Sequence, residues 1–514
     1  MKVVSSEQMR KIEQMAIEEL GIPSILLMEH AALRLAEHCI KLIDVKKFAK
    51  VLIAVGPGNN GGDGMALTRH LLLKGVDVKV IYIGDKNAAR GDAAVYLAII
   101  KKLEVPIISI PLNGTFPDIQ SEIETSDLVV DAIFGTGLTR YVEGNYIHLI
   151  EAINRYAKYV ISADIPSGIH SDTGQIMGCA VKAAETVTFS SPKTGLYLYP
   201  GAEYAGKIHV EDIAIPHFLL DKIDIKAEIL TENDAKKLQP VRKQRANKGD
   251  FGKILVFAGS NEMPGAAALV CSAAYMVGGG LVNACVVPSA ASVIHHWQRE
   301  VITRILPDIN GMYCKKSLEN LTEEIRCADV IVIGPGIGRC SNVTEFVHEL
   351  IVVSAEAKVP LVLDADALFA ISENVNVLKK LKVPCVITPH PGEMSRLTGL
   401  PVTEVLNNTI GVAEKFARDL NIVTLLKDAH TIIADPNDRY YINTTGNNAL
   451  SKAGTGDVLT GLIAGFIAQK TDIFTASALG AYYHGKAGEK AAAKKSCYSV
   501  MAEDVLAEIP YVMN

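Results

Sequence analysis

Residues 51–74 read VLIAVGPGNNGGDGMALTRHLLLK, and this stretch decides the fold. The apolar run at 51–55 predicts a buried strand, a glycine-rich turn follows at 56–64, and a helical pattern covers 65–74. Glycines let the backbone turn sharply and approach a ligand closely. The free N–H groups at the start of a helix attract phosphate. The stretch therefore predicts a strand–turn–helix unit with a phosphate-containing ligand at its turn, with a purely structural turn as the alternative.

The same alternation of apolar runs and helical patterns continues along the chain. Further predicted strands lie at 78–83, 128–130, 159–163, 254–258, 281–287, 330–333, 361–363, 385–388 and 422–426. Strands that alternate with helices form parallel sheets through right-handed crossovers. A charged segment at 221–249 interrupts the alternation, and we interpret its basic run at 242–245 as a solvated linker face. The sequence predicts an α/β protein of two three-layer αβα domains, 1–225 and 226–514. The first is Rossmann-like, because residues 56–61 match G-x-G-x-x-G.

Composition excludes several classes of protein. The 514 residues are 49% hydrophobic and 21% charged, which excludes a disordered or collagenous chain. A formal net charge of −6 argues against a nucleic-acid or anionic-membrane partner. Nine cysteines without a C-x-x-C pair predict reduced thiols in a cytoplasmic protein rather than zinc or disulfides. Residues 1–20 form an amphipathic helical pattern rather than a signal peptide. The apolar stretch 266–294 contains Pro288 and three consecutive glycines, so we expect a buried helix and strand there, not a membrane span.

Three polar clusters follow strand ends in the first domain. They are Asn59, Asn60 and Asp63; Asp131 with the segment FGTGLTR at 134–140; and Asp164 with Ser167. Ligands bind outside the carboxyl ends of the strands of an open parallel sheet. The three clusters therefore predict one polar site, although each carboxylate alone is as well explained as the cap of a turn.

These motifs resemble the YjeF N-terminal family of NAD(P)H-hydrate epimerases over about residues 5–215. Members of that family are isomerases that interconvert the R and S forms of hydrated NADH and NADPH (NADHX and NADPHX) at C6 of the nicotinamide ring. The resemblance implies substrate contacts by Asn59, Asn60, Gly61, Gly62, Asp63, Gly135, Thr136, Gly137, Leu138, Thr139, Arg140, Tyr141 and Asp164. It also implies a K⁺ ion held by Asn60, Asp131 and Ser167. Asp164 is the candidate catalytic group, because epimerising a hemiaminal carbon requires a general acid or base.

The second domain carries its own series of polar turns. They read AGS at 258–260, GPGIG at 334–338, DAD at 364–366, TPHPGE at 388–393, KDAHT at 427–431 and AGTGDVLTG at 453–461. In the last of these, glycines precede an apolar helix whose first amides would bind a phosphoryl group. Asp457 would take a proton from the attacking hydroxyl, with a helix N-cap as the alternative role. The chain has no G-x-x-x-x-G-K-[ST] motif, so a P-loop is not the phosphate site.

The series resembles the ribokinase-like fold over about residues 246–510, and TPHPGE points to its ADP-dependent NAD(P)H-hydrate dehydratase branch. These lyases phosphorylate the C6 hydroxyl of the S hydrate with ADP, and phosphate then leaves. The resemblance implies that Ala266, Gly336, His390 and Asp457 face the hydrated dinucleotide, that Lys427, Asp428, Ala429, His430, Thr431 and Gly456 face the nucleotide, and that Glu393 helps order Mg²⁺. The segment GNNALSKA at 446–453 departs from the family pattern, so the choice between ADP and ATP stays open.

Three functions fit these patterns. The first is a bifunctional repair enzyme, in which one domain converts the epimer that the other domain does not consume. The second is a small-molecule kinase with a regulatory dinucleotide-binding domain, and the third is a sensor that binds both ligands without turnover. Many enzymes of this class assemble symmetrically, so we also expect a homo-oligomer.

Overall fold

The chain folds into two compact units in a computed structural model that describes residues 1–85 and 88–513. One unit is Lys2–Ala227, and the other is Met1 with Glu228–Asn514. The predicted α/β class is confirmed for both units, since each is built on a largely parallel sheet. Short two-residue strands lie at Lys2–Val3 and Ala227–Glu228.

The first unit contains a parallel sheet of seven strands. In spatial order they are Ile107–Ile110, Asp77–Ile83, Lys50–Val55, Leu128–Ala132, Val160–Ala163, Glu185–Phe189 and Lys207–Glu211. From Lys50–Val55 the chain first adds strands on one side of the sheet, and from Leu128–Ala132 onward it adds them on the other side. A crevice opens at such a reversal, and it is the usual ligand site of an open α/β sheet.

Helices cover both faces of this sheet. They are Ser6–Glu18, Ser24–Lys46, Asn59–Leu73, Gly91–Lys102, Gln120–Thr125, Asn145–Tyr156, Gly201–Ala205 and Phe218–Asp221, with a 3₁₀ turn at Thr194–Leu196. Alternate residues of the central strand enter different cores: Ile53 packs with Leu35 on one face, and Leu52 packs with Leu149 on the other. Two cores on opposite faces make this unit a three-layer domain.

The glycine-rich helix starts earlier than the sequence predicts, at Asn59 instead of residue 65. A Cβ atom at Gly61 would lie 1.9 Å from the Gly56 carbonyl oxygen, and one at Gly64 would lie 2.8 Å from Ala132 Cβ. The glycines therefore serve close packing of the first helical turns against the sheet. The expected loop at 59–64 was wrong, because glycine in this sequence marks close approach and not an interruption of the helix.

The second unit is built on nine strands. In spatial order they are Tyr440–Asn443, Thr431–Ala434, Val423–Leu426, Cys385–Ile387, Leu361–Leu363, Val330–Ile333, Lys253–Phe257, Leu281–Val286 and Ile302–Ile305. Seven of these strands run parallel from Val423–Leu426 onward, whereas Thr431–Ala434 and Tyr440–Asn443 continue the edge in antiparallel pairs. The purely parallel sheet that the alternation predicts thus ends in an antiparallel hairpin.

Two helices of the second unit, Gly265–Met276 and Thr455–Ala468, form a tightly packed apolar pair. The helices of the unit are Glu232–Leu238, Gly265–Met276, Pro288–Trp297, Thr322–Arg326, Ser341–Glu356, Asp366–Ser372, Asn376–Lys379, Pro391–Thr398, Val402–Asn407, Thr409–Leu420, Thr455–Ala468, Ile473–Lys494 and Ala502–Val512, with 3₁₀ turns at Lys248–Phe251, Lys315–Leu318 and Asn448–Leu450. A Cβ atom at Gly461 would lie 2.3 Å from the Val270 carbonyl oxygen, so helix Thr455–Ala468 packs closely on helix Gly265–Met276. The expected buried helix and strand within 266–294 are confirmed. In the described part of the chain, no helix is long and apolar enough to cross a membrane.

Candidate active sites

A cavity of about 570 Å³ opens at the carboxyl ends of the strands of the first unit. Ten of the predicted substrate-contacting residues line this cavity: Asn59, Asn60, Asp63, Gly135, Thr136, Gly137, Leu138, Thr139, Arg140 and Asp164. The structure therefore brings all three polar clusters of the first domain to one place, as expected for strand ends of a parallel sheet.

Three predicted contact residues do not line this cavity. Gly61 and Gly62 face the protein, since a Cβ atom at Gly62 would lie 2.7 Å from Met28 Sδ. The Tyr141 side chain is 67% exposed and lies outside the lining. Gly61 and Gly62 can therefore meet a ligand only through their backbone, and Tyr141 does not contribute to the cavity wall in this structure.

Asp164 is held in a fixed orientation by its neighbours. Its φ of +62° is unusual for a residue with a side chain. One carboxylate oxygen, Oδ1, accepts hydrogen bonds from the Lys193 ammonium at 2.5 Å and from the Thr188 hydroxyl at 3.0 Å. Lys193 is only 2% exposed and also donates to the Phe189 carbonyl. Its charge is therefore committed to Asp164.

Two further carboxyl groups line the same cavity. Burial raises the pKa of Asp63 well above its ordinary value, and the charges of Asp164 and Glu13 raise it further. Burial also raises the pKa of Glu13, against the opposing effect of Lys193. The cavity thus combines two carboxyl groups whose pKa burial raises with the ion-paired carboxylate of Asp164.

Glu13 and Lys193 were missed by the sequence reasoning. Glu13 lies in helix Ser6–Glu18, where an acid among polar residues looks like part of a solvated face. Lys193 follows strand Glu185–Phe189 in the segment SPKTG at 191–195, so its position after a strand end was the signal that could have found it.

The predicted cation ligands Asn60, Asp131 and Ser167 are connected through the Phe134 carbonyl and the Ser167 hydroxyl. Asn60 is 7% exposed and donates through Nδ2 to the Phe134 carbonyl at 2.8 Å, while its Oδ1 is buried without a hydrogen-bond partner among the described residues. The Ser167 hydroxyl lies 2.5 Å from Asp131 Oδ1 and 3.3 Å from the Phe134 carbonyl oxygen. Asp131 is fully buried. Asn60 and Ser167 thus both contact the Phe134 carbonyl, and Ser167 also contacts the Asp131 carboxylate. An unpartnered amide oxygen, a hydroxyl and a buried carboxylate are the oxygen donors that suit an alkali cation.

In the second unit, Asp364 lies at the centre of the charged cluster. Its Oδ1 accepts a hydrogen bond from the Lys427 ammonium at 3.0 Å, and its Oδ2 accepts one from the Thr460 hydroxyl at 2.7 Å. A Cβ atom at Gly456 would lie 3.6 Å from Lys427 Nζ and 3.9 Å from Asp364 Oδ2. The start of helix Thr455–Ala468 is therefore in contact with the lysine and the carboxylate.

Asp457 lies in the first turn of this helix and is half-buried. Burial and the charge of Asp364 raise its pKa to about 7, against the opposing charge of Lys427. The helix N-cap is Gly454, with φ of +87°, and no side chain of the described residues caps the helix. The N-cap role for Asp457 is therefore excluded. The Thr455 amide donates to the Lys452 carbonyl at 3.4 Å, which leaves the amides of Gly456 and Asp457 as the first-turn donors that could bind an anion.

His390 and Glu393 form a capping box at the start of helix Pro391–Thr398. His390 Nδ1 accepts from the Gly392 amide at 3.0 Å, and Glu393 Oε2 accepts from the His390 amide at 2.9 Å. His390 Nε2 and Glu393 Oε1 are 3.5 Å apart. Burial raises the pKa of Glu393, although the charge of Lys427 acts against it. The buried carboxylate is a hard oxygen donor, which fits Mg²⁺ and its waters.

The remaining predicted residues fall into two groups. Ala266 and Gly336 are adjacent, since a Cβ atom at Gly336 would lie 2.8 Å from Ala266 Cβ. Asp428 and Ala429 are exposed in the turn that follows strand Val423–Leu426, and His430 and Thr431 are half-buried there.

Asp364 and Asp366 belong to the DAD turn at 364–366, but neither of them was assigned a role in the site from the sequence. Their strand-end position was the available signal.

Comparisons with known proteins show which family this chain belongs to. A family model described as NAD(P)H-hydrate dehydratase matches residues 254–511, and one described as YjeF-related protein N-terminus matches residues 24–195. A bifunctional NAD(P)H-hydrate repair enzyme of Moorella thermoacetica is 38% identical over 100% of this chain and 97% of its own length. The chain belongs to the bifunctional NAD(P)H-hydrate repair enzyme family. Another member of this family, from Thermofilum pendens, is 37% identical over 96% of this chain and 93% of its own length.

A solved structure has a fold similar to that of one part of this chain. A ribokinase-like superfamily protein of Enterococcus faecalis aligns with a TM-score of 0.50 at 26% identity, covering 56% of this chain and 95% of that chain. The predicted fold class, with a ribokinase-like second domain, is confirmed. The family resemblance that the sequence motifs indicate is also confirmed, and with it the assignment of the chain as an enzyme of this repair family.

Proposed function

We propose that this chain carries out both reactions of the repair family, each in one unit. Residues 1–225 interconvert the R and S epimers of NADHX and NADPHX. Residues 226–514 use ADP to dehydrate the S epimer, and the products are NAD(P)H, AMP and phosphate. The observation that carries the proposal is that each unit assembles a buried acid–base cluster, around Asp164 and Asp457, at the carboxyl ends of its strands.

In the epimerase site, two kinds of carboxyl group divide the proton transfers. The Asp164 carboxylate, oriented by Lys193, is the base that takes a proton from water adding at C6. Asp63, whose pKa burial raises, is the group that would donate a proton to the departing hydroxyl. A donor and an acceptor in one cavity allow the hydroxyl to leave and to return on the other face of the ring.

Asn60, Asp131 and Ser167 are the residues that would hold K⁺ in this unit. The unpartnered Asn60 Oδ1 is the strongest structural support, because a buried amide oxygen without a partner costs about 1–3 kcal/mol. A bound cation would supply positive charge beside the pyrophosphate of the substrate. Asp131, with burial raising its pKa, is the buried carboxyl whose charge such an ion would balance.

The K⁺ assignment predicts a cation-specific effect on epimerisation. We expect the wild-type rate to be higher in K⁺ than in Li⁺ at equal ionic strength, because the larger ion suits amide and hydroxyl oxygens without a tight geometry. Asn60→Leu should reduce this difference to near zero and slow epimerisation at least about tenfold, ~1.4 kcal/mol. Epimerisation rates in matched chloride salts measure both effects, with Asn154→Leu as the control. An unchanged K⁺ preference in Asn60→Leu would contradict the ligand assignment.

In the dehydratase site, Asp457 is placed to remove the proton from the C6 hydroxyl as it attacks the terminal phosphate of ADP. The amides at the start of helix Thr455–Ala468 and the Lys427 ammonium would stabilise the transferring phosphoryl group. Glu393 is the residue that would order Mg²⁺, which supplies charge neutralisation on the phosphates. The lone pair of the ring nitrogen then expels phosphate, a far better leaving group than hydroxide, and loss of a proton from C5 restores the dihydronicotinamide ring.

The nucleotide would lie along the turn at 427–431, and the hydrated dinucleotide along Ala266, Gly336 and His390. In this arrangement Gly456, which lies next to Lys427, would be between the two ligands. The exposed Asp428 and Ala429 leave room for an adenine base at the surface of the unit. Homo-oligomeric assembly and a cytoplasmic location stay predictions.

The pKa of Asp457 predicts a pH dependence of dehydration. A general base must be deprotonated, and the raised pKa lies at about 7. We therefore expect kcat/KM to fall about tenfold per pH unit below that value and to level off above it. The pH profile of the wild-type chain with saturating ADP measures this, and epimerisation in the same buffers is the control. A flat profile between pH 5 and 7 would argue against Asp457 as the base, since about half of it is protonated at its pKa.

One assay tests the proposed function as a whole. Hydrated NADH of both epimers is incubated with the protein, ADP and Mg²⁺, and the return of dihydronicotinamide absorbance is followed. We expect complete recovery of both epimers. Recovery of neither, with a stable phosphorylated alcohol from another substrate, would favour the kinase alternative, and binding without turnover would favour the sensor.

A further inference from the structure

A second cluster of ionisable side chains lies in the first unit, outside its cavity. His38 Nε2 and His209 Nε2 each lie 2.8 Å from the same oxygen, Glu185 Oε2. The two imidazole rings are 4.3 Å apart between centroids. None of the three residues lines the cavity around Asp164. The convergence of two imidazoles on one carboxylate oxygen is not explained by either repair reaction.

The three side chains come from separate elements and are largely withdrawn from water. Side-chain exposure is 12% for His38, 11% for Glu185 and 23% for His209. They lie on helix Ser24–Lys46 and on the neighbouring strands Glu185–Phe189 and Lys207–Glu211. Glu185 is the first residue of its strand, whereas the Asp164 site is at the carboxyl ends of the strands. Glu185 therefore lies at the opposite, amino-terminal end of its strand.

The polar atoms of this cluster are incompletely satisfied by the protein. His209 Nε2 is buried and has no well-formed hydrogen bond among the described residues, although it lies close to Glu185. Glu185 Oε1 is fixed separately, because it accepts a hydrogen bond from the Tyr159 hydroxyl at 2.5 Å. The remaining oxygen, Oε2, is therefore aimed at both imidazoles. An imidazole nitrogen that is buried without a partner indicates that another group belongs beside it.

We propose that His38, Glu185 and His209 bind one divalent transition-metal ion of the zinc type. Two imidazole nitrogens and one carboxylate oxygen are a ligand set that such ions prefer, with a water molecule completing the coordination. In a tetrahedral zinc site with bonds of about 2.0–2.1 Å, ligand atoms lie roughly 3.4 Å apart. The present separations of 2.8 Å between Nε2 and Oε2 need to widen only by a fraction of an ångström. Tyr159 is a positioning residue, since it orients the ligating carboxylate through its other oxygen.

The metal would tie the long helix to the edge of the sheet. Helix Ser24–Lys46 carries Leu27, Met28 and Ala31, which line the cavity of the first unit. A bond from His38 to both strands would therefore stabilise the helix that forms part of the cavity wall. Because the site is remote from Asp164, we expect the ion to act on stability and not on the chemical step.

Cobalt binding to the full-length chain tests the proposal. The protein is freed of metal with a chelator and titrated with Co²⁺ alone, while visible absorption reports imidazole coordination. We expect the wild type to bind one more equivalent than His209→Gln or His38→Gln, and Zn²⁺ to displace it. His217→Gln, which changes an exposed histidine, should retain that equivalent. Zn²⁺ should raise the Tm of the wild type and of His217→Gln but not of the two cluster variants.

Two results would overturn the proposal. One is equal Co²⁺ stoichiometry in the wild type and in folded His209→Gln, with folding of the first unit verified by retained epimerisation activity. The other needs no variant: X-ray absorption of wild type loaded with one equivalent of Zn²⁺ should show two imidazole ligands and oxygen. A spectrum with only oxygen or with sulfur ligands would contradict the assignment even if the variants fail to fold. Tyr159→Phe should weaken binding about 10- to 100-fold without abolishing it.

Discussion

Asp457→Asn is expected to lower the rate of dehydration by about 10²–10⁴-fold while leaving epimerisation unchanged. The substitution preserves the size of the side chain beside Lys427 and Asp364 but removes the group that accepts a proton from the C6 hydroxyl. The raised pKa of about 7 makes Asp457 a suitable base near neutral pH, because it then combines basicity with a substantial ionised fraction. Measurement of NADH recovery from the pure S epimer with saturating ADP gives the effect.

A matched control separates loss of the base from general damage. Asp438→Asn alters an exposed aspartate that pairs with Arg418 in the same unit, and it should change neither activity. Residual dehydration by Asp457→Asn should no longer fall with decreasing pH in the range where the wild type loses activity. A variant within about threefold of the wild-type rate, which is less than 1 kcal/mol, would show that Asp457 is not the base.

Asp164→Asn is expected to lower epimerisation by about 10²–10⁴-fold and to leave dehydration of the pure S epimer intact. The amide keeps the hydrogen bond from the Thr188 hydroxyl but removes the negative charge that pairs with Lys193. The variant also leaves a buried ammonium without its counter-charge, which typically costs about 3–5 kcal/mol of stability. The rate is measured by the conversion of pure R epimer to S, resolved by chromatography.

Lys193→Met supplies the second arm of this experiment. It removes the ammonium that orients Asp164, so epimerisation should fall while the thermal stability of the first unit also falls. Lys182→Met is the control, because Lys182 is an exposed lysine paired with Glu203. If Lys193→Met and Asp164→Asn both remained folded and epimerised at the wild-type rate, the acid–base assignment in the cavity would be wrong.

The central part of each sheet could be predicted from the sequence because its strands are buried on both faces. Strands Val330–Ile333 and Leu361–Leu363 match their predicted bounds, since continuous apolar runs mark such strands. Edge strands give no such run. Lys207–Glu211 and Ile302–Ile305 are partly exposed and mix polar with apolar residues, so neither was predicted. The antiparallel hairpin ending in Tyr440–Asn443 was missed for the same reason.

The sequence could predict only those site residues that belong to a recognisable motif at the end of a strand or the start of a helix. Asp164 and Asp457 were found because each stands in a recognisable turn at the end of a strand or at the start of a helix. Glu13 enters the cavity from a helix distant in sequence, and no local pattern reports its place there. Lys193 follows a strand end, but its burial and its pairing with Asp164 exist only in the folded chain. The partnerless Asn60 Oδ1 and the cluster of His38, Glu185 and His209 likewise exist only once the chain has folded.

The presence of both sites in one chain matches the chemistry of the proposed pathway. If only the S hydrate can be phosphorylated productively, the R hydrate accumulates unless an epimerase returns it. A chain with both activities can convert either epimer to NAD(P)H. The kinase and sensor alternatives do not account for an acid–base cluster in each unit.

The most direct test of the central claim starts from pure R epimer with ADP and Mg²⁺. The wild type should convert all of it to NADH, and Asp164→Asn or Asp457→Asn alone should form NADH at least about 10²-fold more slowly than the wild type. An equimolar mixture of the two variants should restore conversion, because each supplies the site that the other lacks. Conversion by either variant alone at the wild-type rate, or failure of the mixture, would contradict two separate and successive sites in this chain.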